Sequence, residues 1–242
     1  QPMQLNFSKL IKSGISNKSF YECFEWNKDG TNKLHTYDRN NEQVETIDTD
    51  LQFFYFHTIN AFEENGVITL DLCGYKSNAI VDDFYIDTLS TTGIPENHKA
   101  SLRRLTIDLS SKKVTERDTG INVELPSIND AYRNKSYRYA YGVHSPKGNT
   151  NLAVEVIKYD FQNDTYITWG KDGYTVGEPI FIATPEADTE DDGALIVLCH
   201  NTKTNLPELV VLNAMNLKEE AKIALPQSLP PALHGWFYRT KK

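Results

Sequence analysis

The chain has 242 residues, 39% of them hydrophobic and 24% charged, with a formal net charge of −8. That is enough apolar material for one large all-β domain or two small ones. No Lys/Arg cluster interleaved with aromatics occurs, which argues against a nucleic-acid partner, and no apolar run approaches the roughly 20 residues a membrane-spanning helix needs.

The three cysteines, Cys23, Cys73 and Cys199, are far apart and form no CxxC pair. They indicate neither a disulfide framework nor a thiolate zinc site, and they favour a reducing, cytoplasmic compartment. No signal peptide is expected. The chain opens on Gln1-Pro2 rather than Met, so we expect a fragment of a longer protein.

In chain order, residues 3–11 carry helical spacing, with Leu5, Leu10 and Ile11 on one face and Gly14 as the stop. Residues 20–26 alternate weakly, as a strand. Lys28-Asp29-Gly30 is a turn. Residues 34–38 and 44–47 make a short strand pair around Arg39-Asn40-Asn41. Residues 53–62 and 67–73 form the central hairpin of the chain. Its turn is Glu63-Glu64-Asn65-Gly66, with Asn-Gly supplying the positive dihedrals a tight hairpin requires. His57 sits in the aromatic first strand among Phe53, Phe54, Tyr55, Phe56 and Ile59. A polar ring in such a strand is expected to be buried, and a buried polar group needs a partner. That partner is either a metal or a backbone carbonyl. An extended stretch at 83–86 follows. A polar surface excursion through 90–99, with room for one helical turn, leads to strands at 102–109 and 113–117.

The second half repeats. RRLTIDLSSKKVTER, VIKYDFQNDTYITW and LVVLNAMNLKEEAKIAL each run as strand, Asp or Asn, polar turn, strand. Asp160 follows Asp108 by 52 positions and Asn213 follows Asp160 by 53. Thr58-Ile59-Asn60 and Ser127-Ile128-Asn129 echo one another early in their units. A unit of about fifty residues with four short strands has the period of a propeller blade. Strands at 123–128, 137–143, 154–160 and 165–169 would fill one blade, and those at 179–183, 194–199, 208–212 and 221–225 the next. The competing reading is a β-sandwich with even spacing.

On the propeller reading the prolines of Pro230-Pro231 set an extended entry, and His234 opens a last inner strand. Inner strands line the axis. His57 and His234 would then converge there, and a set of neutral imidazoles suits a metal such as iron. Glu124 and Glu178 open inner strands between them. They suit carboxylates that accept the second N–H of a metal-bound imidazole. The bland alternatives are an exposed Glu at a strand end and a capping His. His35, His98, His144 and His200 read as surface residues.

The stretches FHTINAFEENGVITLDLCGY, ELPSINDAYRNKSYRYAYG, VGEPIFIATPEADTEDDGALIVLCHN, LPELVVLNAMNL and LPPALHGWFY resemble the carotenoid cleavage oxygenases. The likeness is nearest the animal branch, which holds β-carotene oxygenases and the retinal-pigment-epithelium isomerohydrolase. It implies an all-β fold: residues 1–242 as the C-terminal part of a seven-bladed β-propeller, with about three full blades, a partial blade and a closing strand. It also implies ferrous iron held by four histidines and three outer glutamates. On this chain His57 and His234 match two of the histidines, and Glu124 and Glu178 two of the glutamates. The remaining ligands belong to the N-terminal half, so this segment alone is expected to be inactive. The stretch from Leu109 to Glu124 is shorter than in vertebrate members. The implied activity is cleavage of a carotenoid or apocarotenoid double bond by O2 to aldehydes such as retinal. The implied alternatives are retinyl ester isomerohydrolysis or a non-catalytic propeller fragment. Peripheral membrane contact is expected, because the substrate is apolar.

Overall fold

In the computed structural model, residues 2–14, 19–230 and 233–238 are described; Gln1 and Pro231 lie outside them. Met3–Leu5 (β1) pairs antiparallel with Phe24–Trp26 (β2). Between them, Phe7–Ser13 (α1) starts at Asn6, whose side chain accepts from the Lys9 N–H at 3.1 Å. The expected helix over 3–11 is therefore corrected. Its first residues are strand because β2 returns beside them, and the Asn6 cap sets the helix start. The strand expected over 20–26 shrinks to β2, because Tyr21–Cys23 closes a 3-10 turn. Lys33–Asp38 (β3) and Gln43–Asp48 (β4) form the second hairpin as the pattern predicts.

Phe54–Glu64 (β5) and Val67–Tyr75 (β6) are the central hairpin. Asn65 and Gly66 take φ of 54° and 76° at its tip, the conformation this turn demands. Before the next strand the chain makes two short helices, Ala79–Asp83 (α2) and Ile86–Thr91 (α3). The extended reading of 83–86 is thus corrected. Nor is the excursion wholly superficial, since Ile94 and Ala100 are buried and anchor it by their apolar side chains. Ser101–Asp108 (β7) and Val114–Asp118 (β8) complete a four-stranded sheet with β5 and β6, in sequential order.

Glu124–Ser127 (β9), Tyr139–His144 (β10), Glu155–Asp160 (β11) and Thr165–Gly170 (β12) form a second four-stranded sheet of the same plan. The third sheet holds Tyr174–Val176 (β13), Ile180–Ala183 (β14), Gly193–Asn201 (β15), Leu206–Asn213 (β16) and Glu219–Ala224 (β17). Here β13, which the pattern did not signal, shares the long β15 with β14. These are three propeller blades. Inner strands β5, β9 and β14 line one side, and β8, β12 and β17 form the opposite edge. The β3–β4 hairpin packs on the first blade through Leu34, Leu51 and Leu70.

The repeat has a local cause. Asp108 accepts the backbone N–H groups of Ser110 and Ser111, Asp160 those of Gln162 and Asn163, and Asn213 that of Met215. Four positions on, Lys112, Asp164 and Leu217 take φ of 57°, 55° and 56°. A short acceptor side chain stabilises each outer turn by capping it, which is why Asp or Asn recurs there.

The apolar cores lie between blades. Cys73, Tyr75, Leu102, Val123, Ala140, Ile157 and Tyr159 fill the first gap, and Tyr141, Val143, Val156, Leu195, Val197 and Val210 the second. Polar ties cross the same gaps. The fully buried Asp71 receives the Arg104 guanidinium at 2.8 and 2.9 Å and the Tyr137 phenol at 2.7 Å. The Lys158 ammonium donates to Asp191 at 2.6 Å. The echo at Asn60 and Asn129 is structural too. Each amide donates to a backbone carbonyl of the following blade, Asn60 to Tyr132 and Lys135, Asn129 to Glu190.

One histidine expected at the surface is not there: His144 is buried and bonds the Asn122 carbonyl through Nδ1 at 2.8 Å. His98 is partly exposed and lies 2.7 Å from Asp83 at the end of α2. The contact of His144 with the segment before β9 is one that spacing does not reveal. The inner strand expected to open at His234 is not formed: residues 233–238 carry no strand assignment and have no described strand alongside to pair with. Among the described residues no helix is long and apolar enough to cross a membrane.

The hairpin carboxylates set the acid limit. Arg138 holds Asp160 at about 2, and the Tyr174 phenol with Asn201 and Lys222 holds Glu208 at about 2. Both groups are depressed relative to the unfolded chain. Their contribution is complete above the ordinary carboxylate value of about 4 and vanishes as pH falls through about 2. The melting temperature should hold from pH 7 to 5 and then decline steeply between pH 4 and 2. A flat profile over that last interval would contradict the assignment.

Candidate metal centre

The four residues singled out from the sequence meet. His57 projects from β5 and Glu124 opens β9, so the contact joins the inner strands of neighbouring blades. His57 Nδ1 lies 2.6 Å from Glu124 Oε2. One blade further on, His234 Nδ1 lies 3.0 Å from Glu178 Oε1, and the Gly235 N–H donates to Glu178 Oε2 at 2.9 Å. The two rings then face each other edge to face, with Nε2 atoms 3.4 Å apart and centroids 5.1 Å apart. Glu178 stands two positions before β14 rather than at its first residue.

Carboxylates can only accept, so each Nδ1 carries the proton and each Nε2 presents a lone pair. Two lone pairs therefore converge, and neither neutral ring can donate to the other. Electrostatics disfavours that pairing unless a cation, either a proton or a metal ion, lies between them. Two nitrogens in neighbouring positions on one first-row ion, at bonds of about 2.1 Å, stand roughly 3–3.4 Å apart. The residues present thus fit two corners of a metal site. Among the described residues no group of three or more His, Cys, Asp or Glu is gathered to hold an ion unaided.

His57 is not the buried ring its aromatic run suggested. Its side chain is 24% exposed and that of His234 53%. The cause is register. Irregularities in the β5–β6 pairing between Tyr55 and Asn60 break the alternation, so Ile59 and Asn60 are consecutively buried while Tyr55, Phe56 and Thr58 turn outward. A bulged strand re-aims side chains in this way. The Glu124 hydrogen bond raises the His57 imidazole above its ordinary pKa, against partial burial, which lowers it.

Glu124 is held harder than Glu178. It is buried, Tyr75 donates its phenol to Oε1 at 2.7 Å, and the Leu125 N–H turns back onto Oε2 at 2.8 Å. That last bond needs an unusual backbone: Leu125 takes a φ of 46°, a costly conformation for a branched residue. Tyr75 was not foreseen from the sequence. The signal was present, because Asp71, Cys73 and Tyr75 share one face of a strand, and a buried phenol usually finds an acceptor. Phe56 is stacked on Phe84 at 5.7 Å and lies 6.4 Å from the His57 ring, an aromatic wall beside the site. On the His234 side a cavity of about 680 Å³ runs past Ile128, Phe181 and Trp236.

Comparison with known proteins decides the family. A model of the retinal pigment epithelial membrane protein family, RPE65, matches residues 1–239. The chain belongs to this family. It is 30% identical to a carotenoid isomerooxygenase of Galleria mellonella, over 98% of this chain and 49% of that protein. It is 28% identical to the beta,beta-carotene 15,15'-dioxygenase of Homo sapiens, again over 98% and 49%. Among solved structures, the cobalt-substituted apocarotenoid oxygenase of Synechocystis superposes with a TM-score of 0.88 at 26% identity, covering 98% of this chain and 50% of that one. The chain spans about half the length of the curated relatives it matches and corresponds to their C-terminal half.

The close approach of β10 to Glu124 depends on Gly142. A Cβ there would meet the Glu124 carbonyl at 2.8 Å and Val123 Cγ1 at 2.7 Å. The carbonyl is backbone and cannot move aside cheaply. Gly142→Ala should destabilise the protein by about 1–3 kcal/mol and displace Glu124, which denaturant unfolding would read; an unchanged midpoint would show that the strand has slack.

Proposed function

We propose that this chain supplies part of the iron centre and substrate path of a carotenoid-cleaving oxygenase. In this reading His57 and His234 ligate Fe2+ through Nε2, with Glu124 and Glu178 fixing the tautomer of each ring. The observation that carries it is the pair of Nε2 atoms, 3.4 Å apart, each ring having a carboxylate on its Nδ1. The names of the relatives support the same class, since a carotenoid isomerooxygenase and a carotene dioxygenase are among them. The cobalt-substituted relative is a metalloprotein by its own description.

When bound, the iron supplies O2 activation for insertion across one polyene double bond, giving two aldehydes. The chain's own residues do the rest. Glu124 holds the His57 proton on Nδ1 and the ring in its rotation, which turns Nε2 toward the metal, and Glu178 does so for His234. Phe56, stacked on Phe84, presents an apolar face beside the metal. The remaining ligands come from the N-terminal half of the intact protein, and residues 1–242 form the C-terminal part of one propeller domain. In the full-length protein His57→Ala should lower bound iron from stoichiometric to under about a tenth. Incubation of the wild type with β-carotene under O2 should yield aldehydes. Retained iron in the variant would remove His57 from the site, and retinol from a retinyl ester without aldehydes would assign the isomerohydrolase reaction instead.

An apolar substrate must be drawn from a membrane, and the chain offers a contact face. Phe7, Ile11, Phe20, Tyr85 and Ile86 are exposed, and a Ser19–Tyr85 hydrogen bond of 3.3 Å joins the two segments. Exposed large apolar side chains gathered in this way support peripheral binding. The double variant Phe7→Ser with Ile11→Ser should reduce the vesicle-bound fraction severalfold in flotation assays while leaving iron content unchanged. Equal binding by both proteins would move the contact elsewhere.

A further inference from the structure

Resting on the iron reading above, we propose that Tyr75 is a positioning residue of the metal centre, acting on His57 through Glu124. The two outer carboxylates are held differently. Glu178 meets His234 through one oxygen and a backbone N–H through the other, and its side chain is 16% exposed. Glu124 is nearly sealed, and its two oxygens are divided between two tasks. Oε2 takes His57 Nδ1 and the Leu125 N–H, while Oε1 takes the Tyr75 phenol. Without the phenol, the described contacts leave Oε1 with no donor in a buried place, and the carboxylate is free to rotate about its last bond. Rotation would carry Oε2 off the imidazole.

Tyr75 is itself rigid. It ends β6 opposite Phe54 in the sheet register, and Phe54 and Phe56 pack against its ring at 6.0 and 5.5 Å. Burial and the Glu124 charge both raise its pKa, so the hydroxyl keeps its proton and serves as a donor throughout the working pH range. The phenol touches neither imidazole nor cavity. Its effect on the metal therefore passes through one carboxylate, and that makes it separable by experiment. Partners in this outer layer typically change metal affinity or activity 10–100-fold when removed.

The test uses the full-length protein with cobalt(II) as the probe. Tyr75→Phe should raise the cobalt dissociation constant about tenfold and shift the visible cobalt bands, with the melting temperature within a few degrees of wild type. Glu124→Gln should cost more, and the double variant should be no weaker than Glu124→Gln alone, since the phenol acts through that carboxylate. Additive losses, or a Tyr75→Phe protein that binds cobalt with wild-type affinity and spectrum, overturn the inference and leave the metal site standing. A wild-type protein that takes up no cobalt overturns the iron reading and this inference together. Should Tyr75→Phe fail to fold, 3-fluorotyrosine at position 75 keeps the shape and strengthens the donor. Shifted cobalt bands at an unchanged melting temperature then support the inference, and unshifted bands overturn it.

Discussion

A buried carboxylate must be satisfied, and Glu124 is satisfied by groups from three different strands. His57 comes from β5, Tyr75 from β6, and the Leu125 N–H from its own β9. Removing a partner from a buried charge costs far more than the bond contributes on balance. The requirement therefore works as a constraint on how the first two blades sit against each other. The inner strands can approach only where the imidazole, the phenol and the carboxylate all reach. Everything nearer the axis inherits its position from that fit.

The same relation recurs one blade further, in reverse. On one side the histidine precedes its glutamate along the chain, and on the other the glutamate precedes its histidine. The two pairs lean toward each other, which is how residues 177 positions apart bring Nε2 atoms within 3.4 Å. The pairs are not equals. The His57 side is packed, bonded twice over and backed by an aromatic wall, while the His234 side sits on an exposed segment without strand pairing. The better-held ring carries the burden of orientation, and the looser one borders the cavity.

The well-held side carries its own backbone irregularity. Leu125 adopts a left-handed conformation next to Glu124, the β9–β10 register shifts between Tyr141 and Val143, and Gly142 admits the backbone where no side chain would fit. Bulges of this kind redirect side chains at functional positions. The flanking blades tolerate the irregularity because their cores are closed elsewhere, by Asp71 with Arg104 and Tyr137 and by Lys158 with Asp191.

Much of this was legible in the chain itself. The Asn65-Gly66 hairpin, the Asp108, Asp160 and Asn213 turns and the fifty-residue period all follow from local chemistry, because a turn is specified by the residues within it. That His57, Glu124, Glu178 and His234 come together was anticipated by the propeller reading and the family resemblance, although only Glu124 opens an inner strand: His57 lies inside β5, Glu178 before β14 and His234 outside any strand. The exposure of His57, the buried His144, the helices at 79–91 and the hold of Tyr75 on Glu124 were not. Each depends on which strand lies alongside and in what register. A one-residue shift in pairing exchanges the inward and outward faces of a strand, so only the assembled blades decided which side chains meet.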